Sequence, residues 1–134
     1  MRGVLLDTGP VYGLLDPHDQ YHAEARVLFG RLTVEATPVR IAHPALLETH
    51  RLMLSRGDPA RAHGRILAVK DRAPVSYPIA ADGDAAYRTL ERFDDQRISL
   101  TDATIAAMGV RLGLQVVTFD RRHFGLMGAE VYGD

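Results

Sequence analysis

Residues 116–124 read VVTFDRRHF. Two valines, a threonine and a phenylalanine favour an extended chain, yet the run closes on Asp120 and passes straight into Arg121, Arg122 and His123. A buried strand that delivers a carboxylate at its end places charge where it costs energy, unless something compensates it. The N-terminal stretch GVLLDTGP, residues 3–10, has the same form. A short apolar run, Gly3 to Leu6, is followed by Asp7, and Thr8-Gly9-Pro10 then opens a helix with proline in the first turn, where its missing N–H is harmless.

Between these two stretches the pattern alternates. Tyr21, Ala25, Leu28, Phe29 and Leu32 recur at helical spacing. Arg40 to Ala42 is a weak strand, and Pro44 starts a helix over 44–55 in which Leu46, Leu47, Met53 and Leu54 repeat every seven residues around His50. Asp58-Pro59 is a cap followed by proline at the first helical position, so a fourth helix runs towards Lys70. Pro74 to Ile79 reads as a strand or extended link. Asp82 caps a fifth helix with the stripe Ala86, Leu90 and Phe93. Ser99-Leu100-Thr101-Asp102 has the form of a capping sequence, Ile105, Met108, Gly109 and Leu112 follow on one face, and Gly113 ends that helix. Strands over Gln115 to Phe119 and near Glu130 to Tyr132 complete the chain.

Short strands alternating with helices predict an α/β fold with a mainly parallel sheet covered on both faces. In such sheets ligands bind beyond the carboxyl ends of the strands, which is where Asp7 and Asp120 stand. The length of 134 residues, with 46% hydrophobic and 25% charged residues, fits one globular domain over residues 1–134. No apolar run is long enough for a bilayer. The apolar stretch before Asp7 is too brief for a signal peptide. With no cysteine, disulfides and thiolate metal sites are excluded, and a cytoplasmic protein is expected. The net charge of −1 argues against nucleic-acid binding by bulk charge, but Arg51, Arg56, Arg61, Arg65, Lys70 and Arg72 concentrate within 50–72, facing only Asp58 and Asp71. That segment is either a solvated helical face or a phosphate-contacting patch.

Two further acids sit awkwardly. Asp102 continues the apolar stripe of its own helix, and Glu48 lies between apolar positions of the helix over 44–55. Singly, Asp102 reads as a helix cap and Glu48 as a solvated residue. Together with Asp7 and Asp120 they can converge at one end of a sheet. Several carboxylates in one cleft repel unless cations separate them, and oxygen ligands without cysteine suit Mg²⁺ or Mn²⁺. Such ions orient water, lower its pKa and stabilise charge on a phosphoryl oxygen, so phosphodiester hydrolysis follows.

LLDTGP near the N-terminus, YHAEA after the first helix, Glu48, SLTDA at 99–103 and VTFDRRHF at 117–124 resemble a PIN-domain ribonuclease. Within that superfamily they most resemble the VapC toxins of type II toxin–antitoxin systems. The likeness covers essentially the whole chain, and the ordered set of four acids carries it. It implies a PIN-like three-layer α/β/α sandwich, Mg²⁺- or Mn²⁺-dependent endoribonuclease activity on RNA, a homodimer and inhibition by a cognate VapB-type antitoxin. By position, Asp7 and Asp102 would be the principal metal ligands. Glu48 and Asp120 would complete the catalytic pocket, directly or through water. Thr8, Ser99, Thr101 and Thr118 are hydroxyls beside those acids, placed to orient them. Arg121, Arg122 and His123 would either meet RNA phosphate at the rim or lie in a solvated loop.

Rival readings fare worse. Asp7-Thr8-Gly9 is also the signature of aspartic proteases, but that fold is all-β and leaves Glu48, Asp102 and Asp120 without a purpose. An aspartyl-nucleophile phosphatase needs a second Asp where Gly9 stands. A PIN-like RNA-binding or regulatory domain without useful turnover is the remaining non-enzyme alternative. His22, His43, His50 and His63 show no paired metal spacing, and His50 suits a helix–helix or dimer contact.

Overall fold

The computed structural model describes residues 2–133. In chain order the elements are β1 (Val4–Leu6), α1 (Thr8–Leu15), α2 (His22–Val34), β2 (Val39–Ala42), α3 (His43–Arg56) and α4 (Pro59–Arg72). They continue with β3 (Val75–Ser76), α5 (Ala80–Arg92), α6 (Leu100–Leu112), β4 (Gln115–Val117) and α7 (Arg121–Leu126). The strands form one parallel sheet in the order β3-β2-β1-β4, with Leu6 level with Ile41 on one side and Val117 on the other. Successive strand residues face opposite sides of a sheet, and Val4, Leu5 and Leu6 are all buried. Both faces of the sheet are therefore covered, as in a three-layer α/β/α sandwich.

This strand order decides where a ligand can sit. From β1 the chain moves to β2 on one side and later returns to β4 on the other. The connections after β1 and β4 thus leave the sheet in opposite directions, and a crevice opens beyond the carboxyl ends of these two strands. Asp7 follows β1 directly, its backbone N–H bonded to the Val117 carbonyl at 3.0 Å. Helix α6 is brought close to β4 by Gly109: a Cβ there would lie 2.8 Å from Val116 Cγ2. Gly113 closes α6 in the left-handed conformation at φ 66°, which a residue without a Cβ adopts freely.

Four details differ from the sequence reading. The strand expected over Gln115 to Phe119 stops at Val117, because the Thr118 hydroxyl turns back to accept the Asp120 N–H at 3.0 Å. Behind it comes α7, a short helix where a loop was one reading, with Asp120 as its cap. The strand near Glu130 to Tyr132 is a single parallel bridge, Val116 to Val131. Asp82 is not the cap of α5 but lies inside its first turn, with Ile79 at the cap position. There its buried carboxylate accepts Nε and Nη2 of Arg111 from α6, each at 2.9 Å, and the Ile79 N–H at 2.8 Å. Burial pushes this carboxyl up, but the Arg111 and Ile79 bonds outweigh it and hold the group below the usual range. No helix among the described residues is long and apolar enough to cross a membrane.

Candidate functional site

Asp7, Glu48 and Asp102 line one cavity of about 240 Å³, together with Thr8, Tyr12 and Arg56. Three separate elements deliver the acids. Asp7 is the residue between β1 and α1, Glu48 lies on α3, and Asp102 lies in the first turn of α6. Ser99 fixes that turn, its hydroxyl accepting the Asp102 N–H at 3.0 Å.

Asp7 is the most constrained of the three. It is buried, and its Oδ2 accepts a hydrogen bond from the Thr118 hydroxyl at 2.8 Å. Its Oδ1, equally buried, has no hydrogen-bond partner among the described residues. Burial pushes this carboxyl from 3.8 up to about 7, as do the charges of Asp102 and Glu48, against the lowering effect of the Thr118 hydrogen bond and of the adjacent Thr8 N–H. Burial also raises Glu48, with Asp102 adding to it and Arg51 opposing. Asp102 is raised by burial and by Asp120, against the Ser99 hydrogen bonds. A raised carboxyl is one whose ionised form lacks compensation. Three such groups around one cavity amount to a site built for positive charge.

Asp120 stands one step back. It does not line this cavity, yet it is near enough to Asp102 to disfavour that group's ionisation. Its carboxylate caps α7 through the His123 N–H at 3.3 Å and meets the His123 ring Nδ1 at 2.8 Å. Thr118 links the two strand ends, touching both Asp7 and the Asp120 backbone. Thr8 is buried beside Asp7, and half-buried Thr101 makes no hydrogen bond to an acid among the described residues.

The arginines divide into two groups. Arg56 reaches the acidic cavity, donates to the Tyr12 hydroxyl at 3.2 Å and lies 5.1 Å from the centre of that ring. With Arg61 and Arg65 it also lines a second cavity of about 280 Å³ beside the first. Arg65 is anchored on the Leu15 carbonyl. On the other side Arg121 donates to the Tyr132 carbonyl at 3.1 Å and Arg122 to Gln96 at 3.1 Å. His50 meets His63 of α4 at 2.8 Å, a helix–helix contact. The sequence reading missed Tyr12, which holds Arg56 at the acids, and the pairing of His123 with Asp120. The His pairing was within reach, because three residues separate the two across a helix start.

A hard divalent cation fits the donor set. The acids offer only oxygen, and the bare Asp7 Oδ1 is a buried acceptor with its valence unmet. Among the described residues no three His, Asp or Glu side chains stand close enough together to hold an ion by themselves. An ion here would therefore complete its shell with water, as Mg²⁺ commonly does.

A family model for the PIN domain matches residues 4–128. No curated protein matches the chain. Among solved structures the chain is similar to the Mycobacterium tuberculosis toxin VapC20, described as cleaving the sarcin–ricin loop. Identity is 27% over 95% of this chain and 96% of that one, with a TM-score of 0.78. FitAcB from Neisseria gonorrhoeae shares 23% identity over 96% and 95% of the two chains at a TM-score of 0.68. DNA-bound VapBC from Salmonella typhimurium shares 21% over 98% and 96% at 0.73. The last two show likeness of fold.

Proposed function

The chain belongs to the PIN-domain family, and from that premise we propose that it is a Mg²⁺- or Mn²⁺-dependent endoribonuclease, the toxin of a type II toxin–antitoxin pair. One observation carries this reading: Asp7, Glu48 and Asp102 converge on a single cavity, all with raised pKa values and with an oxygen of Asp7 left bare. The VapC20 relative, at 27% identity, supports the toxin half.

Asp7 and Asp102 would hold the ion, with Glu48 and Asp120 contributing directly or through water. When bound, it would supply an activated water and stabilise negative charge on the phosphoryl group. The protein's own residues do the rest. Thr118 helps to fix the rotamer of Asp7 through its bond to Oδ2, while Oδ1 is left with no protein partner among the described residues. Glu48, half-buried and held above its ordinary range by burial, stands at the same cavity as a carboxylate that can accept a proton there. Arg56 stands at the same cavity as a cation for substrate phosphate, and Arg61 and Arg65 extend that track along α4. Arg51, which acts on Glu48, and Arg121 and Arg122 lie outside this track.

The expected result with purified protein is cleavage of RNA in Mg²⁺ or Mn²⁺ and none in EDTA. The sarcin–ricin loop is the RNA to try first, since the VapC20 relative is described as cutting it. Total cellular RNA is the broader survey. Equal cutting in chelator would sink the metal reading. RNA retained on the protein but never cut, in either metal, would favour an RNA-binding domain without turnover.

The toxin half has its own test. Expression should arrest growth, and co-expression of the cognate VapB-type antitoxin should restore it. Normal growth from an actively cleaving protein would separate nuclease from toxin. RNA, that antitoxin and a second copy of the chain in a homodimer are the proposed partners, in the cytoplasm.

A further inference from the structure

Beside the acidic cavity lies a larger one, of about 520 Å³, between α2 and the end of β4. Tyr21 lines both. Its ring stacks on Phe119, with centres 5.1 Å apart and planes at 28°, and Tyr21 is 40% exposed. Gly9 of α1 lies beside the Phe119 ring, close enough that a Cβ there would touch it at 3.4 Å. The pair is thus seated on the segments that hold the catalytic acids. Gly9 is two residues after Asp7, and Phe119 stands between Thr118 and Asp120.

Resting on the nuclease reading, we propose that this larger cavity is a nucleobase subsite, in which a base of the bound RNA stacks on Tyr21 while a neighbouring phosphate occupies the acidic cavity. Three observations carry it. An exposed aromatic ring backed by a second ring is a stacking platform that any base can use. Leu28, Val117 and Phe119 give the cavity apolar walls, and Arg31, paired with Glu35 at 3.2 Å and lying over the Tyr132 ring, adds a cation to its lining. Tyr21 lines both cavities, so a strand laid across that ring reaches from one to the other. Single-stranded or splayed RNA is the class of substrate that can present a base in this way.

The test uses a short single-stranded RNA carrying 2-aminopurine, whose emission falls on stacking, with Ca²⁺ in place of Mg²⁺ so that a cation balances the carboxylates, and with the RNA checked for integrity after each titration. The parent protein should bind it and quench the emission. Tyr21→Phe should behave like the parent, because the π-face remains. Tyr21→Leu should bind about 5- to 150-fold more weakly and lose the quench, with its circular dichroism and melting curve showing a folded protein. Unchanged affinity and emission in Tyr21→Leu, with cleavage in Mg²⁺ retained, would overturn the subsite and leave the nuclease reading standing. Loss of antitoxin capture by Tyr21→Leu with RNA binding intact would assign the cavity to a protein and overturn it likewise. If the parent neither binds nor cuts RNA under any condition, the nuclease reading fails first and the subsite falls with it.

Discussion

Asp7→Asn is expected to lose cleavage by more than about 100-fold, since even groups that only support a metal ligand cost 10- to 100-fold when removed. The same substitution should change how stability depends on pH. In the metal-free protein burial lifts the Asp7 carboxyl from 3.8 to about 7. Between those values the folded state holds a proton that the unfolded chain has released. Stability must then fall as pH rises through the window, by about 4 kcal/mol in total at roughly 1.4 kcal/mol per unit, and level off above 7. Glu48 and Asp102, also raised, add slope of the same sign. Asn cannot titrate, and its neutrality also relieves the two remaining acids, so the variant's profile should be much flatter. Mg²⁺ needs the ionised carboxylate. Its stabilisation of the parent should therefore grow as pH rises towards 7, while Asp7→Asn should respond far less. Melting curves at pH 5, 6, 7 and 8, with EDTA and with Mg²⁺, read both effects. A variant that keeps the parental slope and the parental Mg²⁺ response would remove Asp7 from the centre of the site.

The sequence made these acids legible for different reasons. Asp7 follows an apolar run too short to be anything but a buried strand, so its charge was conspicuous. Asp102 stood out because it continues the apolar stripe of its helix with a charge, and the Ser99 cap that orders its turn is a local pattern. What no local pattern could show was convergence. That depends on β4 lying beside β1 rather than beyond β3, and strand order is decided by packing over the whole chain. Asp82 illustrates the same limit. Its residue type and position suggested a cap, whereas its main partner, Arg111, arrives from another helix. The stacking of Tyr21 on Phe119 was invisible likewise: Tyr21 reads as the first residue of an amphipathic stripe, yet it precedes α2 and stays at the surface. The short α7 escaped because six residues offer too few turns for a periodicity to register.

That short helix carries the last expectation. Six residues cannot hold a helix in water by themselves, so α7 depends on an anchor, and Phe124 is the only buried residue it has. The side chain is fully buried in the main core with Leu5, Ile41 and Val116. Phe124→Ala should cost about 3–5 kcal/mol, the lost transfer energy plus the cavity left behind. Against a domain's usual 5–15 kcal/mol, that is a large share. For a chain of this size it corresponds to a fall in melting temperature of roughly 10–15 °C. Phe124→Leu, which refills most of the space, should cost less than half as much. The functional consequence runs through Asp120, which caps the same helix and faces Asp102 electrostatically. Assayed well below its transition, Phe124→Ala should cut RNA more slowly than Phe124→Leu, since a loosened α7 no longer holds Asp120 and His123 together. Asp120→Asn gives the complementary measurement: asparagine caps nearly as well, so its melting temperature should stay near parental while its cleavage falls. Were Asp120→Asn fully active, α7 would be a structural brace alone, and slow cleavage by Phe124→Ala would have to come from disturbance of the Thr118–Asp7 contact at the end of β4.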